Sequence, residues 1–119
     1  MRIDAHFHVA GFNASVGWRG RFRDDQVVID AADRLGIDQL CCSIPIQRGL
    51  HGTPDQVREV NDSVRFAMDR FPDRILGYAY IDPGYQEEAL EEMDRCILGH
   101  GMIGIKLYNQ YKCWDPVVL

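Results

Sequence analysis

The chain has 119 residues, of which 46% are hydrophobic and 26% charged, proportions typical of one folded, soluble domain rather than of a disordered chain. Its 13 Lys and Arg stand against 18 Asp and Glu, and the net charge of −5 argues against a protein that binds nucleic-acid phosphates. No apolar run approaches the roughly 20 residues that span a bilayer, and polar residues begin the chain where a signal peptide would be apolar. We therefore expect a cytoplasmic protein with neither a membrane nor a nucleic acid as its partner.

Short β-rich runs alternate along the chain with segments of helical period. Four strands are predicted, over about 2–9, 37–46, 75–81 and 102–108. The helix between the second and third strands begins after Thr53, because Thr53-Pro54-Asp55-Gln56 has the pattern of a capping box with Pro at the first helical position. The next helix is strongly acidic. Its predicted outer face carries Glu87, Glu88, Glu91 and Glu92, and its predicted inner face carries Ala89, Leu90, Met93 and Ile97.

The element order β-α-β-α-β-α-β predicts an α/β fold with a parallel sheet and right-handed crossovers. After the fourth strand, Asp115-Pro116 has the pattern of the start of a further helix, inside which the chain ends. This arrangement matches the N-terminal half of a (β/α)₈ TIM barrel better than a complete open sheet. We therefore predict that residues 1–119 form a single partial domain, truncated inside the fourth helix, with open sheet edges that favour self-association.

The sharpest chemical signal is Asp4-Ala5-His6-Phe7-His8 in the first strand. Strand alternation predicts that Asp4, His6 and His8 share one face, with the two histidines about 6.6 Å apart along the strand. Two imidazoles at that spacing can converge on one metal ion at the carboxyl ends of the strands, and Asp4 can orient a histidine from the second shell. The alternative is that both histidines are structural, as in a complete small open-sheet domain.

Three further residues are candidates for lining a site. Lys106 and Tyr108 share one face of the fourth strand, and in a barrel that face points inward. His51 lies in the loop after the second strand, where contact with a substrate competes with simple exposure to solvent. Helix capping accounts for Asp82. The cysteines form no Cys-x-x-Cys pair and are interpreted as small buried apolar residues: Cys41, Cys42, Cys96 and Cys113.

The opening motif resembles the start of the amidohydrolase-related family, the amidohydrolase 2 branch of the amidohydrolase superfamily. Three later stretches agree with that resemblance: Leu35-Gly36-Ile37-Asp38, Phe71-Pro72-Asp73-Arg74-Ile75-Leu76-Gly77-Tyr78 with Ile81-Asp82-Pro83, and Met102-Ile103-Gly104-Ile105-Lys106-Leu107. The His-x-His motif also opens TatD-like nucleases and PHP phosphoesterases, but the later stretches favour the amidohydrolase branch. The resemblance implies a metal-dependent barrel with one divalent metal, most often zinc, held in part by His6 and His8.

The same resemblance implies the rest of the site and its chemistry. The remaining ligands and the catalytic base belong to later strands, so the base is expected beyond Leu119. The implied activity of the intact enzyme is hydrolysis, in which a metal-activated water attacks an amide, ester or lactone carbon of a small-molecule substrate. Relatives also perform non-oxidative decarboxylation of unsaturated or aromatic acids, which is one alternative. A non-catalytic truncated half-barrel is another. For Lys106, a carboxylated lysine that bridges two metals is the alternative to an unmodified ammonium that faces the substrate or is structural.

Overall fold

The computed structural model describes residues 1–9, 25–46, 51–108, 111–112 and 114–119. Its strands are β1 (Ile3–His8), β2 (Gln39–Ser43), β3 (Ile75–Tyr80) and β4 (Gly104–Lys106). Its helices are α1 (Asp25–Leu35), α2 (Pro54–Arg70) and α3 (Gln86–Asp94), and α3 continues into a π-helical turn at Arg95–Gly99. The alternation of strands and helices is the one that the sequence predicts.

The strands form one parallel sheet in the order β1-β2-β3-β4. The predicted α/β class with parallel strands is therefore confirmed. β2 ends earlier than predicted because Pro45 has no N–H group to donate to a neighbouring strand. β4 is also shorter than predicted. Among the described strands it pairs only with β3, so its ends receive support from one side.

β1 contains a register shift between Asp4 and Phe7. Asp4 is level with Leu40 of β2 and Phe7 is level with Cys42, so three steps along β1 match two steps along β2. Leu40 and Cys42 both belong to the buried core, and residues paired in a parallel ladder point to the same side. The predicted alternation is therefore wrong at Asp4, because the extra residue removes its carboxylate from the face that carries His8.

The helices begin and end where the sequence places their caps. Gly36 follows α1 in the left-handed conformation, with a φ of 66°, which a residue without a Cβ adopts at little cost. The Thr53 hydroxyl accepts a hydrogen bond from the backbone N–H of Gln56 at 3.3 Å, and the Gln56 side chain accepts one from the Thr53 N–H at 3.0 Å. The capping box predicted for α2 is thereby confirmed.

The core lies between α2 and the sheet. The buried stripe of α2 consists of Val57, Val60, Val64 and Ala67. Gly77 of β3 allows the helix to come close, because a Cβ at that position would lie 2.4 Å from Sδ of Met68 and 3.0 Å from Val64. Cysteines within the described ranges are buried as predicted, namely Cys41, Cys42 and Cys96, whereas Cys113 lies outside those ranges.

The predicted inner and outer faces of α3 are confirmed except at two positions, Leu90 and Glu92. Glu92 is buried and Leu90 is 62% exposed, the reverse of what the sequence pattern predicts. Glu92 accepts hydrogen bonds from Asn61 at 2.9 Å and from the Arg95 guanidinium at 2.6 and 2.7 Å. Burial alone would raise the pKa of Glu92, but the hydrogen bonds from Arg95 and Asn61 hold that pKa below its ordinary value.

The last residues of the chain form a hydrogen-bonded turn at the place where the sequence predicts the start of a further helix. The backbone N–H of Val118 donates to the carbonyl oxygen of Asp115 at 2.9 Å, three residues earlier. Residues 116–118 lie within this turn. Among the residues that the structure describes, no helix is both long and apolar enough to cross a membrane.

Candidate metal centre

His8 stands at the end of β1, and the main chain of β2 fixes its ring. Nδ1 of His8 lies 2.8 Å from the carbonyl oxygen of Ser43. A carbonyl oxygen only accepts hydrogen bonds, so the proton of the neutral ring is on Nδ1 and Nε2 keeps its lone pair. Metal-binding histidines are commonly held in this way, with one ring nitrogen donating to a protein oxygen and the other bound to the metal.

His6 reaches across the sheet to the fourth strand. Its Nε2 lies 3.5 Å from Nζ of Lys106. β1 and β4 are three strand spacings apart, which is about 14 Å in a flat sheet. Both side chains therefore lie on the same side of the sheet and lean toward each other across it. An ammonium group only donates hydrogen bonds, so in this contact Nε2 of His6 carries a lone pair rather than a proton.

His6 and His8, which we call the histidine pair, lie side by side. Their ring centroids are 5.1 Å apart and their planes meet at 87°. With a lone pair on Nε2 of each ring, the pair supplies two nitrogen ligands of the kind that zinc and similar divalent metals bind. Within the described ranges, no group of three or more His, Cys, Asp or Glu side chains could hold a metal ion. The histidine pair therefore fits a metal as one part of a site, which needs further ligands to be complete.

Asp4 contacts the main chain of the histidine strand. Its Oδ1 accepts a hydrogen bond from the backbone N–H of His6 at 3.0 Å. Burial raises the pKa of the Cys42 thiol on the core side of β2, and the negative charges of Asp25 and Asp4, among others, raise that pKa further. Asp4 thus shapes the backbone beside the histidine pair. The backbone carbonyl of Ser43, for which the sequence carries no signal, is the group that orients the His8 ring.

Lys106 and Tyr108, both predicted to line the site, lie beside each other. Nζ of Lys106 is 5.6 Å from the centroid of the Tyr108 ring, which is within range of a cation–π contact. The ring of Tyr80 packs against Tyr108, with the centroids 5.3 Å apart. Burial raises the pKa of Tyr108. The structure thereby brings Lys106 and Tyr108 into one cluster with His6.

His51, the third predicted lining residue, contacts residues from the two following loops. Its Nδ1 lies 3.3 Å from Oδ2 of Asp82 and 3.4 Å from the hydroxyl of Tyr111. The capping role predicted for Asp82 is wrong: its carboxylate accepts from the backbone N–H of Gly84 at 3.0 Å, and the N-cap residue of α3 is Tyr85. His51 and Asp82 are 31 residues apart, so no local sequence pattern predicts their contact.

A comparison with protein families identifies the group of proteins to which these features belong. The sequence model of the amidohydrolase family matches residues 3–117. The chain belongs to the amidohydrolase family. The resemblance that the first-strand motif and the later stretches indicate is thereby confirmed. Enzymes are the established members of this family, and a divalent metal occurs in several of the solved structures that this chain resembles.

Solved structures with the same fold include two decarboxylases and a hydrolase. The 5-carboxyvanillate decarboxylase of Novosphingobium aromaticivorans, with manganese and 4-hydroxy-3-methoxy-5-nitrobenzoic acid, is 16% identical with a TM-score of 0.73, over 99% of this chain and 45% of that chain. The dihydroxybenzoic acid decarboxylase of Polaromonas sp. JS666, with manganese and 2-nitroresorcinol, is 21% identical with a TM-score of 0.64, over 87% and 36%. A probable 2-pyrone-4,6-dicarboxylic acid hydrolase of Acinetobacter baumannii, with citric acid bound, is 19% identical with a TM-score of 0.64, over 98% and 42%.

These amidohydrolases are TIM-barrel proteins, and the chain matches part of their fold. It spans between 36% and 45% of the length of the solved structures named above. The four parallel strands therefore correspond to part of such a barrel, as the sequence predicts. The metal in the two decarboxylase structures is manganese rather than the predicted zinc.

Proposed function

We propose that this chain supplies the first part of the active site of a metal-dependent hydrolase of the amidohydrolase family, with His6 and His8 as ligands of one divalent metal. The observation that carries the proposal is the 2.8 Å hydrogen bond between Nδ1 of His8 and the carbonyl oxygen of Ser43. It leaves Nε2 of His8 available on the face where Nε2 of His6 and Nζ of Lys106 also meet. Membership of a family of enzymes supports the same proposal.

The residues of this chain would bind and orient, while the metal supplies the electrophile. A bound divalent metal lowers the pKa of a water molecule and polarises a substrate carbonyl. The backbone of Ser43 holds His8 in the tautomer that a metal requires, and Lys106 presents an ammonium group on the same face. That ammonium is suited to a carboxylate of the substrate, because charge-assisted hydrogen bonds to carboxylates are the stronger ones. We place the catalytic base and the remaining ligands beyond Leu119.

A second candidate is the non-oxidative decarboxylation of an aromatic or unsaturated acid. The observation that favours it is the presence of several aromatic-acid decarboxylases among the similar solved structures. Lys106 suits both reactions, because the hydrolase among these structures is also named for a carboxylic acid, 2-pyrone-4,6-dicarboxylic acid. The two candidates therefore differ in the bond that breaks rather than in the charge of the substrate.

The identity of the metal is a separate part of the proposal. Two imidazole nitrogens suit zinc, whereas manganese generally favours sites rich in oxygen ligands. The decarboxylase structures nevertheless contain manganese. Ligands from other strands of a barrel also change which metal a site prefers. Zinc and manganese are therefore the two metals with which the protein is loaded in the test.

Turnover by the metal-loaded full-length protein separates the two reactions. The probes are 2-pyrone-4,6-dicarboxylic acid and 2,6-dihydroxybenzoate, and mass spectrometry distinguishes addition of water from loss of carbon dioxide. We expect a hydrolysis product that disappears in His6→Ala and in His8→Ala. His100→Ala is the matched control, since His100 contacts Arg65 and Arg95 instead of the histidine pair.

The other outcomes each select an alternative. A decarboxylated product that depends on both histidines would replace hydrolysis with the second candidate. Metal bound by the protein with neither product formed would favour the non-catalytic half-barrel. Activity that survives the loss of both His6 and His8 would overturn the metal assignment itself.

A further inference from the structure

Side chains from three successive loops meet at the carboxyl edge of the sheet. His51 follows β2, Asp82 follows β3 and Tyr111 follows β4. Nδ1 of His51 is 3.3 Å from Oδ2 of Asp82, and the rings of His51 and Tyr111 meet edge to face with centroids 5.3 Å apart. We call these three residues the loop cluster. It lies at the edge of the sheet where parallel α/β folds bind their ligands.

Asp82 is the fixed member of the loop cluster. Its side chain is only 2% exposed, and a carboxylate at that depth is costly unless hydrogen-bond donors surround it. One donor is the backbone N–H of Gly84 at 3.0 Å, and another is the ring of His51. Tyr111 lies near this carboxylate: burial, and after it the charge of Asp82, raises the pKa of Tyr111. The Tyr111 hydroxyl itself lies 3.4 Å from Nδ1 of His51.

Gly84 leaves space for the Tyr111 hydroxyl beside the loop that carries Asp82. A Cβ on residue 84 would lie 2.3 Å from the Tyr111 hydroxyl and 3.2 Å from Oδ1 of Asp82. Any larger residue would displace the hydroxyl. The loop after β3 therefore packs closely against Tyr111.

His51 connects this buried charge to the open edge. Because a carboxylate only accepts hydrogen bonds, Nδ1 of the His51 ring carries the proton in this contact, and among the described residues Nε2 has no hydrogen-bond partner. The His51 side chain is 56% exposed, whereas that of Asp82 is 2% exposed. A histidine whose far nitrogen is held by a buried carboxylate and whose near nitrogen is accessible is the arrangement that general acid–base catalysis uses.

We propose that His51 is a general acid for the leaving group of the substrate and that Asp82 and Tyr111 position it, an inference that rests on the hydrolytic function proposed above. As the bond between the carbonyl carbon and the leaving oxygen or nitrogen breaks, its electron pair moves to the leaving atom. That atom takes the proton from Nε2 of the His51 imidazolium, and Nε2 regains its lone pair. The carboxylate of Asp82 balances the charge of the imidazolium. A proton from water then restores the imidazolium for the next turnover.

Leaving-group dependence tests the role of His51 directly. The metal-loaded full-length protein is assayed with phenyl acetate, whose leaving group needs a proton, and with 4-nitrophenyl acetate, whose leaving group does not. We expect His51→Gln to slow the hydrolysis of phenyl acetate by about 100-fold and the hydrolysis of 4-nitrophenyl acetate by only a few-fold. Asp82→Asn is expected to slow phenyl acetate hydrolysis with the same selectivity, but by about a tenth of the factor seen for His51→Gln. Asp115→Asn, which removes a carboxylate near Tyr111, is expected to change neither rate.

A measurement without substrate tests the positioning role of Asp82. Nitrogen-15 NMR of His51 at alkaline pH reports which ring nitrogen carries the proton. We expect the proton on Nδ1 in the wild type and on Nε2 in a large fraction of Asp82→Asn, because an amide N–H in place of the carboxylate oxygen favours a bare Nδ1. Asp115→Asn should retain the wild-type signals.

The outcomes separate failure of this inference from failure of the proposed function. Equal slowing of both esters by His51→Gln, or a His51 tautomer that is the same in the wild type and Asp82→Asn, would overturn the inference and leave hydrolysis intact. A wild-type protein that neither binds metal nor hydrolyses either ester would instead overturn the proposed function on which this inference rests.

Discussion

Lys106 places a positive charge beside one of the two candidate ligands. Its Nζ lies 3.5 Å from Nε2 of His6, so a dication on that nitrogen would meet the ammonium group at close range. Like charges a few ångströms apart repel by about 1 kcal/mol even in water, and by more inside a protein. We therefore expect Lys106→Met to raise the affinity of the protein for zinc by about tenfold or more.

Isothermal titration with zinc measures this effect. Lys112→Met is the matched control, because Lys112 is exposed and comes from the segment after β4. Its affinity for zinc should equal that of the wild type. A lower affinity in Lys106→Met would mean that Lys106 helps to bind the metal, as a carboxylated lysine would.

Single residues also show where prediction from the sequence ends. The positions of His6, His8 and Lys106 follow from strand order, because the carboxyl ends of parallel strands meet at one edge. The contact between His51 and Asp82 could not be predicted in this way. It depends on how two loops cross in space, and neither loop carries a local pattern for it.

Helix α2 and strand β3 depend on a close approach at Gly77. A Cβ there would lie 2.4 Å from Met68 Sδ and 3.0 Å from Val64, so an alanine at this position would force α2 or these two side chains to move. We expect Gly77→Ala to lower the free energy of unfolding by about 1–3 kcal/mol, measured by urea denaturation. Gly99→Ala is the control, because nothing lies within 4 Å of its Cβ position. Equal stability of the two variants would contradict this packing.

The buried Glu92 makes the contact between α2 and α3 sensitive to acid. Its pKa is held below the ordinary value, so its contribution to stability is present above that ordinary value, about 4.3, and is lost as the pH falls toward the lowered one. Glu92→Gln should cost about 1–3 kcal/mol at pH 7, measured by urea denaturation. The difference from the wild type should shrink on acidification to pH 3.

Glu91→Gln is the matched control for this effect, because Glu91 is exposed on the same helix. Its stability should follow that of the wild type at every pH. A stability difference between Glu92→Gln and the wild type that does not change with pH would show that packing, rather than the charge of Glu92, stabilises the contact.

Elements with strong local signals are the ones that the sequence predicts well. Thr53 and Gln56 cap α2 through contacts within one turn, so four residues suffice to identify that start. Glu92 is different: its burial depends on Asn61 and Arg95, and Asn61 belongs to another helix. The register shift in β1 is equally invisible, because it appears only when β1 is paired with β2.

At the scale of the whole molecule, the sheet has two outer strands, β1 and β4, among those described. Both carry exposed apolar side chains, with Ile3 46% and Ile105 45% exposed. Unpaired strand edges of this kind favour association with other chains. We expect the 119-residue chain to self-associate as its concentration rises, and Ile105→Lys to weaken that association.

Sedimentation velocity over a range of concentrations measures the association. Leu98→Lys is the control, because Leu98 is 79% exposed but lies in the π-helical turn rather than on an outer strand. It should associate as the wild type does. A wild-type chain that is monomeric at every concentration would contradict self-association through the sheet edges.

Metal binding by His6 and His8 is the claim on which the proposed function depends, and the zinc affinity of the protein tests it most directly. The dissociation constant is measured for the wild type, His6→Ala, His8→Ala and His100→Ala under the same conditions. We expect each of the first two substitutions to weaken binding at least about tenfold and His100→Ala to leave it unchanged. Equal affinities in all four proteins would contradict the assignment of the histidine pair as metal ligands.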